Sequence, residues 1–327
     1  MKNIIIITGA SSGIGQEFAL QIDTAFSNID EIWMIARREE RLMEVGKVME
    51  HKVKMISMDV TDEYAMDDFE ELLEKEDVTV RMLMTHTSGI VPWYPFYADG
   101  RDFYVVLEHV LSTTPKEVGM AYSDLNFMLL GQIVMKLSGL TLREALKQYV
   151  KEPLGISEMF YGPMEPSLCV PSSYGNPIEE RMCAERQITF NGWRDKSLPV
   201  CGECNDGNAH YYWHGASGHA GIFATAGALQ KLCQFYMTTE KPAFLEAMNT
   251  CIFERGLGFD RSNVFPDGCG HSGFTGTSIW FSREHHIGAV ILTNKFYRIE
   301  GEPPGNSNEF RRAVHYALIG KEPPVLA

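Results

Sequence analysis

The chain has 327 residues, enough for two domains or one large one at roughly 100–200 residues per domain, and enough to bury a core. Its 45% hydrophobic and 22% charged residues exclude disorder and collagen-like structure. A net charge of −14 argues against nucleic acid or an anionic membrane as the main partner.

No apolar run approaches the roughly 18 residues that span a bilayer. The opening Met1-Lys2-Asn3 and four isoleucines are broken by Thr8-Gly9 too soon for a signal peptide. Charge is unevenly spread: residues 1–77 hold 8 Lys/Arg against 18 Asp/Glu, residues 78–327 hold 21 against 25. All seven cysteines follow residue 168. With no export signal and an odd count they read as reduced thiols, and the expected location is the cytoplasm. The shift in composition near residue 80 marks two unlike parts.

Ile4 to Ile7 is a short β-branched run suited to a buried parallel strand. Thr8-Gly9-Ala10-Ser11-Ser12-Gly13-Ile14-Gly15 follows, then a helical pattern from Gln16 to Ile22. In that setting the glycines permit a tight turn and let a diphosphate approach backbone N–H groups at a helix N-terminus. A second strand, Glu31 to Ala36, ends at Arg37-Arg38, where the adenosine ribose of a dinucleotide lies. Arginines there favour a 2′-phosphate and hence NADP. Equally, they read as the solvated start of the next helix, Glu39 to Glu50. A third strand, Val53 to Met58, ends at Asp59-Val60, and a third helix spans Asp62 to Glu76.

Thr8 to Gly15 with Asp59-Val60 resembles the short-chain dehydrogenase/reductase family over about residues 1–84. The resemblance implies that Gly9, Ser11, Ser12, Gly13, Ile14 and Gly15 line the diphosphate. Arg37 and Arg38 would meet the ribose phosphate, and Asp59 and Val60 the adenine. That family's proton transfer needs Tyr-x-x-x-Lys, and no tyrosine here has lysine four residues on. Its Asn-Ala-Gly is missing too. A fourth strand, Val80 to Met84, runs instead into Thr85-His86-Thr87-Ser88-Gly89.

From about Val78 a different pattern takes over. Val80 to Gly89 resembles the signature stretch of the serine β-lactamase and penicillin-binding-protein-like hydrolases, near class C. Three later segments agree in order: Ala121-Tyr122-Ser123-Asp124-Leu125, Gly218-His219-Ala220-Gly221-Ile222-Phe223-Ala224-Thr225-Ala226, and Gly270-His271-Ser272-Gly273. The resemblance implies Tyr122 as proton acceptor, which requires a neighbouring cation to lower its pKa. It implies His271 as a donor to the acyl group or its carboxylate, and a backbone N–H at Gly273 as half an oxyanion hole. The local readings stand beside these: Ser123 or Asp124 as helix cap, His271 as a surface histidine in a turn. Leu125, Leu129, Ile133 and Leu137 form one helical stripe. Thr225 reads as the cap of a helix from Ala226 to Met237, with Leu229, Leu232, Cys233 and Tyr236 on one face. His271-Ser272-Gly273 should open a strand, followed by an antiparallel pair, Ile279 to Phe281 and Ile287 to Leu292, around Ser282 to His286.

Cys201, Cys204, His210 and His214 are zinc-type residues, but the arm between the pairs is shorter than zinc sites use, and the reading is no metal. The hydrolase nucleophile is the serine of Ser-x-x-Lys. No such tetrad occurs in these 327 residues. The nearest form, Thr113-Thr114-Pro115-Lys116, carries a proline that suits a loop.

The expected fold is therefore an α/β half Rossmann unit of parallel strands with a Gly-rich turn, residues 1–77. A junction at 78–84 joins it to a truncated α+β β-lactamase/transpeptidase-like domain, residues 85–327. Each part loses its catalytic residues at the same place, which reads as a recombination, a gene fusion or a sequence-assembly join. The expected function is a β-lactamase-related serine hydrolase-like protein, acting on a small-molecule amide or ester by acyl transfer but inactive for want of its nucleophile. It would need no cofactor in the hydrolase part and would take NADP at the N-terminal part. The alternatives are an NADP-dependent oxidoreductase remnant that binds nucleotide without turnover, and a non-functional chimera.

Overall fold

The computed structural model describes residues 4–25, 29–36, 39–57, 78–297 and 306–324. The chain divides into two compact units, Met1–Lys75 and Glu76–Ala327.

In the first unit, three parallel strands stand in the order β1 (Ile4–Thr8), β2 (Glu31–Ala36), β3 (Val53–Ser57). Ile4 is in register with Glu31, and Ile32 with Val53. Parallel neighbours need crossovers, and helices Gly13–Ala25 and Glu39–Gly46 supply them. The first helix extends three residues beyond Gln16 to Ile22 at each end, and the second stops four residues before Glu50. Ile7, Ala10, Ala19, Ile22, Ile32, Met34, Leu42 and Val45 form the core. Asp23, 4% exposed, closes the unit by accepting hydrogen bonds from the backbone N–H of Glu50 (2.7 Å) and His51 (2.9 Å). Its carboxylate also meets His51 Nδ1. Burial alone would raise this carboxyl; the hydrogen bonds and His51 overcome burial and hold it below its ordinary value.

Val80–Met84 is not the expected fourth strand but a short helix. Thr79 accepts the N–H of Met82 and caps it, while Leu83 is fully buried and Val80 lies 48% exposed. Five apolar-rich residues suit either periodicity, and the cap decides between them. The third helix expected at 62–76, with Arg37, Arg38, Asp59 and Val60, lies outside the described residues.

The second unit places helices around a three-stranded antiparallel sheet, β6 (Cys269–Ser272), β7 (Ser278–Ser282) and β8 (Ile287–Ile291). Alternation on β7 sends neighbouring aromatics to opposite faces. Phe281 stacks on Tyr236 of the helix Ala226–Thr238, with centroids 5.0 Å apart. Trp280, fully buried, stacks on His315 of the C-terminal helix Ser307–Leu318 at 4.7 Å. Arg311 of that helix donates to the carbonyls of Gly276 and Thr277, tying it to the β6–β7 turn. Gly270 is required here: a Cβ would stand 2.2 Å from the Ile279 carbonyl oxygen. A separate antiparallel pair, β4 (Met159–Tyr161) and β5 (Ile222–Ala224), leads into the helix that Thr225 caps through the N–H of Ala228.

The helix Asp124–Ser138 runs through this unit with Leu125 and Leu129 fully buried; Leu137, in its last turn, is 75% exposed. His271 and Ser272 close β6 rather than open a strand, and Gly273 lies just beyond it. Among the described residues no single helix is long and apolar enough to cross a membrane.

Candidate active site

A cavity of about 200 Å³ in the second unit is lined by Tyr122, Ser123, Asp124, Phe127, His219, Gly258 and His271. Four widely separated segments meet there: the start of the helix Asp124–Ser138, the Gly218–Gly221 loop, the Gly258 turn and the end of β6. The loop seats on the helix by glycine-to-glycine contact. A Cβ on Gly218 would stand 1.9 Å from the Phe127 carbonyl oxygen, so only glycine brings His219 this close.

The Thr85–Gly89 stretch supports two of the lining residues, Tyr122 and Ser123, from behind. His86 accepts the N–H of Ser123 on Nδ1 at 3.0 Å, and its carbonyl accepts the N–H of Ala121. A backbone N–H can only donate, so the His86 proton sits on Nε2. Burial, then Arg255 and His271, push the His86 imidazole down to about 4, so it is neutral at pH 7. Its ring packs 4.2 Å from that of Tyr122. The Ser123 hydroxyl donates to the Val91 carbonyl (2.7 Å) and does not cap the helix. Ser88 donates to Asn126 Oδ1. These two serines are structural ties.

Tyr122 does have the neighbouring cation its expected role required: the Arg255 guanidinium lies 5.2 Å from its ring centroid. Tyr122 is 44% exposed, yet desolvation of its phenol outweighs the arginine. Burial and then Asp124 push the phenol up to about 12 against the pull of Arg255. The resting Tyr122 is a proton donor, not an acceptor.

His271 also differs from expectation. Its Nδ1 lies 2.9 Å from the Ser272 carbonyl oxygen. A carbonyl has no proton to give, so Nδ1 carries the hydrogen and Nε2 is left with a lone pair. Burial and then Arg255 lower this imidazole's pKa. A neutral ring of this tautomer accepts at Nε2, so the donor role expected for His271 does not fit. Nor is the Gly273 N–H free for an oxyanion: it donates to the Thr277 carbonyl at 2.7 Å across the β-turn.

His219, its side chain 5% exposed, meets Asp206 through Nε2 (2.9 Å) and the Ser217 hydroxyl through Nδ1 (2.8 Å). Burial alone would discharge both partners, but their pairing raises His219 to about 9 and lowers Asp206. Asp124 is raised to about 6, chiefly by burial. The serine–histidine–carboxylate order looks like a nucleophile relay. A charged imidazolium donates from both nitrogens, however, so it cannot take a proton from Ser217. Asp124, Asp206 and His219 also bring three metal-ligand atoms within 4.8 Å of one another. The His219 charge answers the carboxylates there without an ion.

The zinc-type quartet does not converge. Cys201 Sγ points to the carbonyls of Pro166 and Cys169, Cys204 is buried, and His210 faces Glu203 at 3.7 Å. In the first unit, Gly9 (φ +70°) and Gly13 (φ +57°) take the left-handed conformations of the turn, and the helix starts at Gly13. Ser11 and Ala10 are buried beneath it, and Ile14 is 88% exposed.

The chain is similar to several known proteins. The β-lactamase family model matches residues 66–313, and the chain belongs to that family. A short chain dehydrogenase model matches residues 3–97. The two overlap across 66–97, which includes the 78–84 stretch common to both readings. The chain is 26% identical over 273 residues to an N-acetylmuramyl-L-alanine amidase of Bacillus subtilis, covering 72% of this chain and 60% of that one. It is 26% identical over 275 residues to a putative D-alanyl-D-alanine carboxypeptidase of Escherichia coli K12, covering 72% and 61%. It thus spans about three-fifths of these relatives' length. A β-lactamase structure from Sulfitobacter sp. EE-36 superposes with a TM-score of 0.51 at 15% identity, over 80% of this chain and 76% of that one, and shows the fold alone.

His86, His219, Asp206 and Arg255 are the site residues that sequence reading did not single out. His86 and His219 lay inside motifs; Asp206 and Arg255 carried no local signal.

Proposed function

We propose that the second unit is a β-lactamase/penicillin-binding-protein-like hydrolase body that receives a small amide or ester in the Tyr122–His271 cavity but forms no acyl-enzyme. One observation carries this reading. The cavity joins Tyr122, Asp124, His219 and His271, yet its lining holds no lysine, and its one serine, Ser123, spends its hydroxyl on Val91. Acyl transfer needs an activated nucleophile. Elsewhere in the chain no serine has lysine three residues on. The names of the amidase and carboxypeptidase relatives favour an amide substrate; the fold alone does not assign one. A fluorescent penicillin incubated with the full chain should leave no covalent band on a denaturing gel. A labelled band that unlabelled penicillin competes away overturns the reading.

A second reading attaches to the first unit. Three parallel strands, a turn with two left-handed glycines and a helix starting at Gly13 support a half-Rossmann element able to hold a dinucleotide phosphate at that helix start. Under this reading NADPH binds without turnover, because the tyrosine–lysine pair is missing. Saturable NADPH binding that Gly13→Asp abolishes is the expected result; titrations indistinguishable between wild type and G13D contradict it.

A further inference from the structure

We propose that His271 is the general base of this cavity, its Nε2 taking a proton from a water molecule that attacks the bound carbonyl directly, with the Tyr122 hydroxyl as proton donor to the leaving group. This rests on the reading that the cavity receives an amide or ester.

The tautomer carries the argument. The Nδ1–H of His271 is spent on the Ser272 carbonyl at 2.9 Å, so the neutral ring keeps a lone pair on Nε2. The charged groups around it favour that neutral state. Arg255 opposes a second positive charge, and Asp260, which would favour one, is paired with Arg255 at 3.5 Å. The Tyr122 ring lies 6.1 Å away by centroid, and it keeps its proton. The other imidazoles are committed. His86 accepts the Ser123 N–H, and His219 is a charged donor between Ser217 and Asp206. Asp124 lines the same cavity and burial raises it to about 6, so it is the rival base that the Asp124→Asn variant below separates from His271.

The chemistry balances without a protein nucleophile. An O–H bond of water breaks and its proton goes to His271 Nε2. The oxygen bonds the carbonyl carbon, and the C=O π pair moves onto the carbonyl oxygen. The C–N or C–O bond of the tetrahedral intermediate then breaks as the leaving nitrogen or oxygen takes the Tyr122 proton, giving a neutral amine or alcohol and a Tyr122 phenolate. The His271 imidazolium returns a proton to the phenolate. Water is consumed, and the products are a carboxylic acid and an amine or alcohol. Without a covalent intermediate or an oxyanion hole at Gly273 the rate is low, and activated esters are the practical probe.

Two measurements on the full chain test this. In ¹⁵N-histidine-labelled protein, the signal that disappears in His271→Gln should show a neutral, Nδ1-protonated ring at pH 7. Its midpoint should lie below the ordinary histidine value of about 6.5, and Arg255→Gln should raise it. Hydrolysis of p-nitrophenyl acetate should show no burst and should rise with pH to a plateau through that same midpoint. H271Q should lose about tenfold of the rate, Tyr122→Phe a smaller factor, and Asp124→Asn should leave the midpoint in place. An Nε2-protonated or charged His271 at pH 7, wild-type hydrolysis by H271Q, or a midpoint that moves with D124N overturns the assignment. A burst of acyl-enzyme contradicts the preceding reading instead, and the tautomer measurement still judges this one.

Discussion

Asp206→Asn removes the carboxylate that keeps His219 charged. In the wild type the imidazole is raised from its ordinary 6.5 to about 9, with a side chain only 5% exposed. A rise of this size corresponds to about 3 kcal/mol of folded-state preference for the imidazolium, at 1.36 kcal/mol per pH unit. That agrees with the ~3–5 kcal/mol lost when one partner of a buried ion pair is removed. For a unit of this size each kcal/mol moves the melting temperature by about 2–4 °C, so D206N should melt about 6–20 °C lower at pH 7. The sign of the pH dependence follows from the raised value. The contribution is fully present below pH 6.5 and is lost as pH rises through about 9, so the gap between D206N and wild type should narrow in alkali. Differential scanning calorimetry at pH 7 and pH 10 measures both. A D206N protein that melts with wild type at pH 7, or a gap that stays constant to pH 10, refutes the reasoning.

Asp23→Ala strands the N–H groups of Glu50 and His51 and should destabilise the first unit by about 1–3 kcal/mol. Because the Asp23 carboxyl is held low, its contribution is present above the ordinary carboxyl range and is lost as pH falls through the depressed value. ¹⁹F NMR of 5-fluorotryptophan at Trp33 reports both effects, and an acid transition unchanged in D23A counts against the account. Trp280→Ala empties the space between β7 and the C-terminal helix and should cost ~3–5 kcal/mol by chemical denaturation. A loss under 1 kcal/mol would mean that the helix does not pack there.

The parts of the fold that could be read from sequence are those set by local signals. The Ser278–Ser282 and Ile287–Ile291 hairpin showed its polar turn between apolar runs, and Thr225 showed its cap. Val80–Met84 was misread because five residues do not distinguish a period of 2 from one of 3.6, and the deciding group, Thr79, lies outside the run. At the site, motif order brought Tyr122 and His271 into one cavity with His219. Their protonation was illegible in sequence, because it depends on groups brought in by topology. Arg255 sits beside Tyr122, the Ser272 carbonyl fixes the His271 tautomer, and Asp206 holds the charge on His219. The Gly273 N–H was misassigned for the same reason: its acceptor, Thr277, is four residues away across a turn that composition does not specify.

Under the proposed reading the second unit has proton-transfer groups but no acylable serine. Intact-mass spectrometry of the full chain, after separate incubation with a β-lactam and with an activated ester, tests it most directly. The expected result is an unchanged mass at every time point with both reagents, even as the ester is consumed. A stoichiometric adduct that peptide mapping places on any serine, Ser123 and Ser217 included, contradicts it.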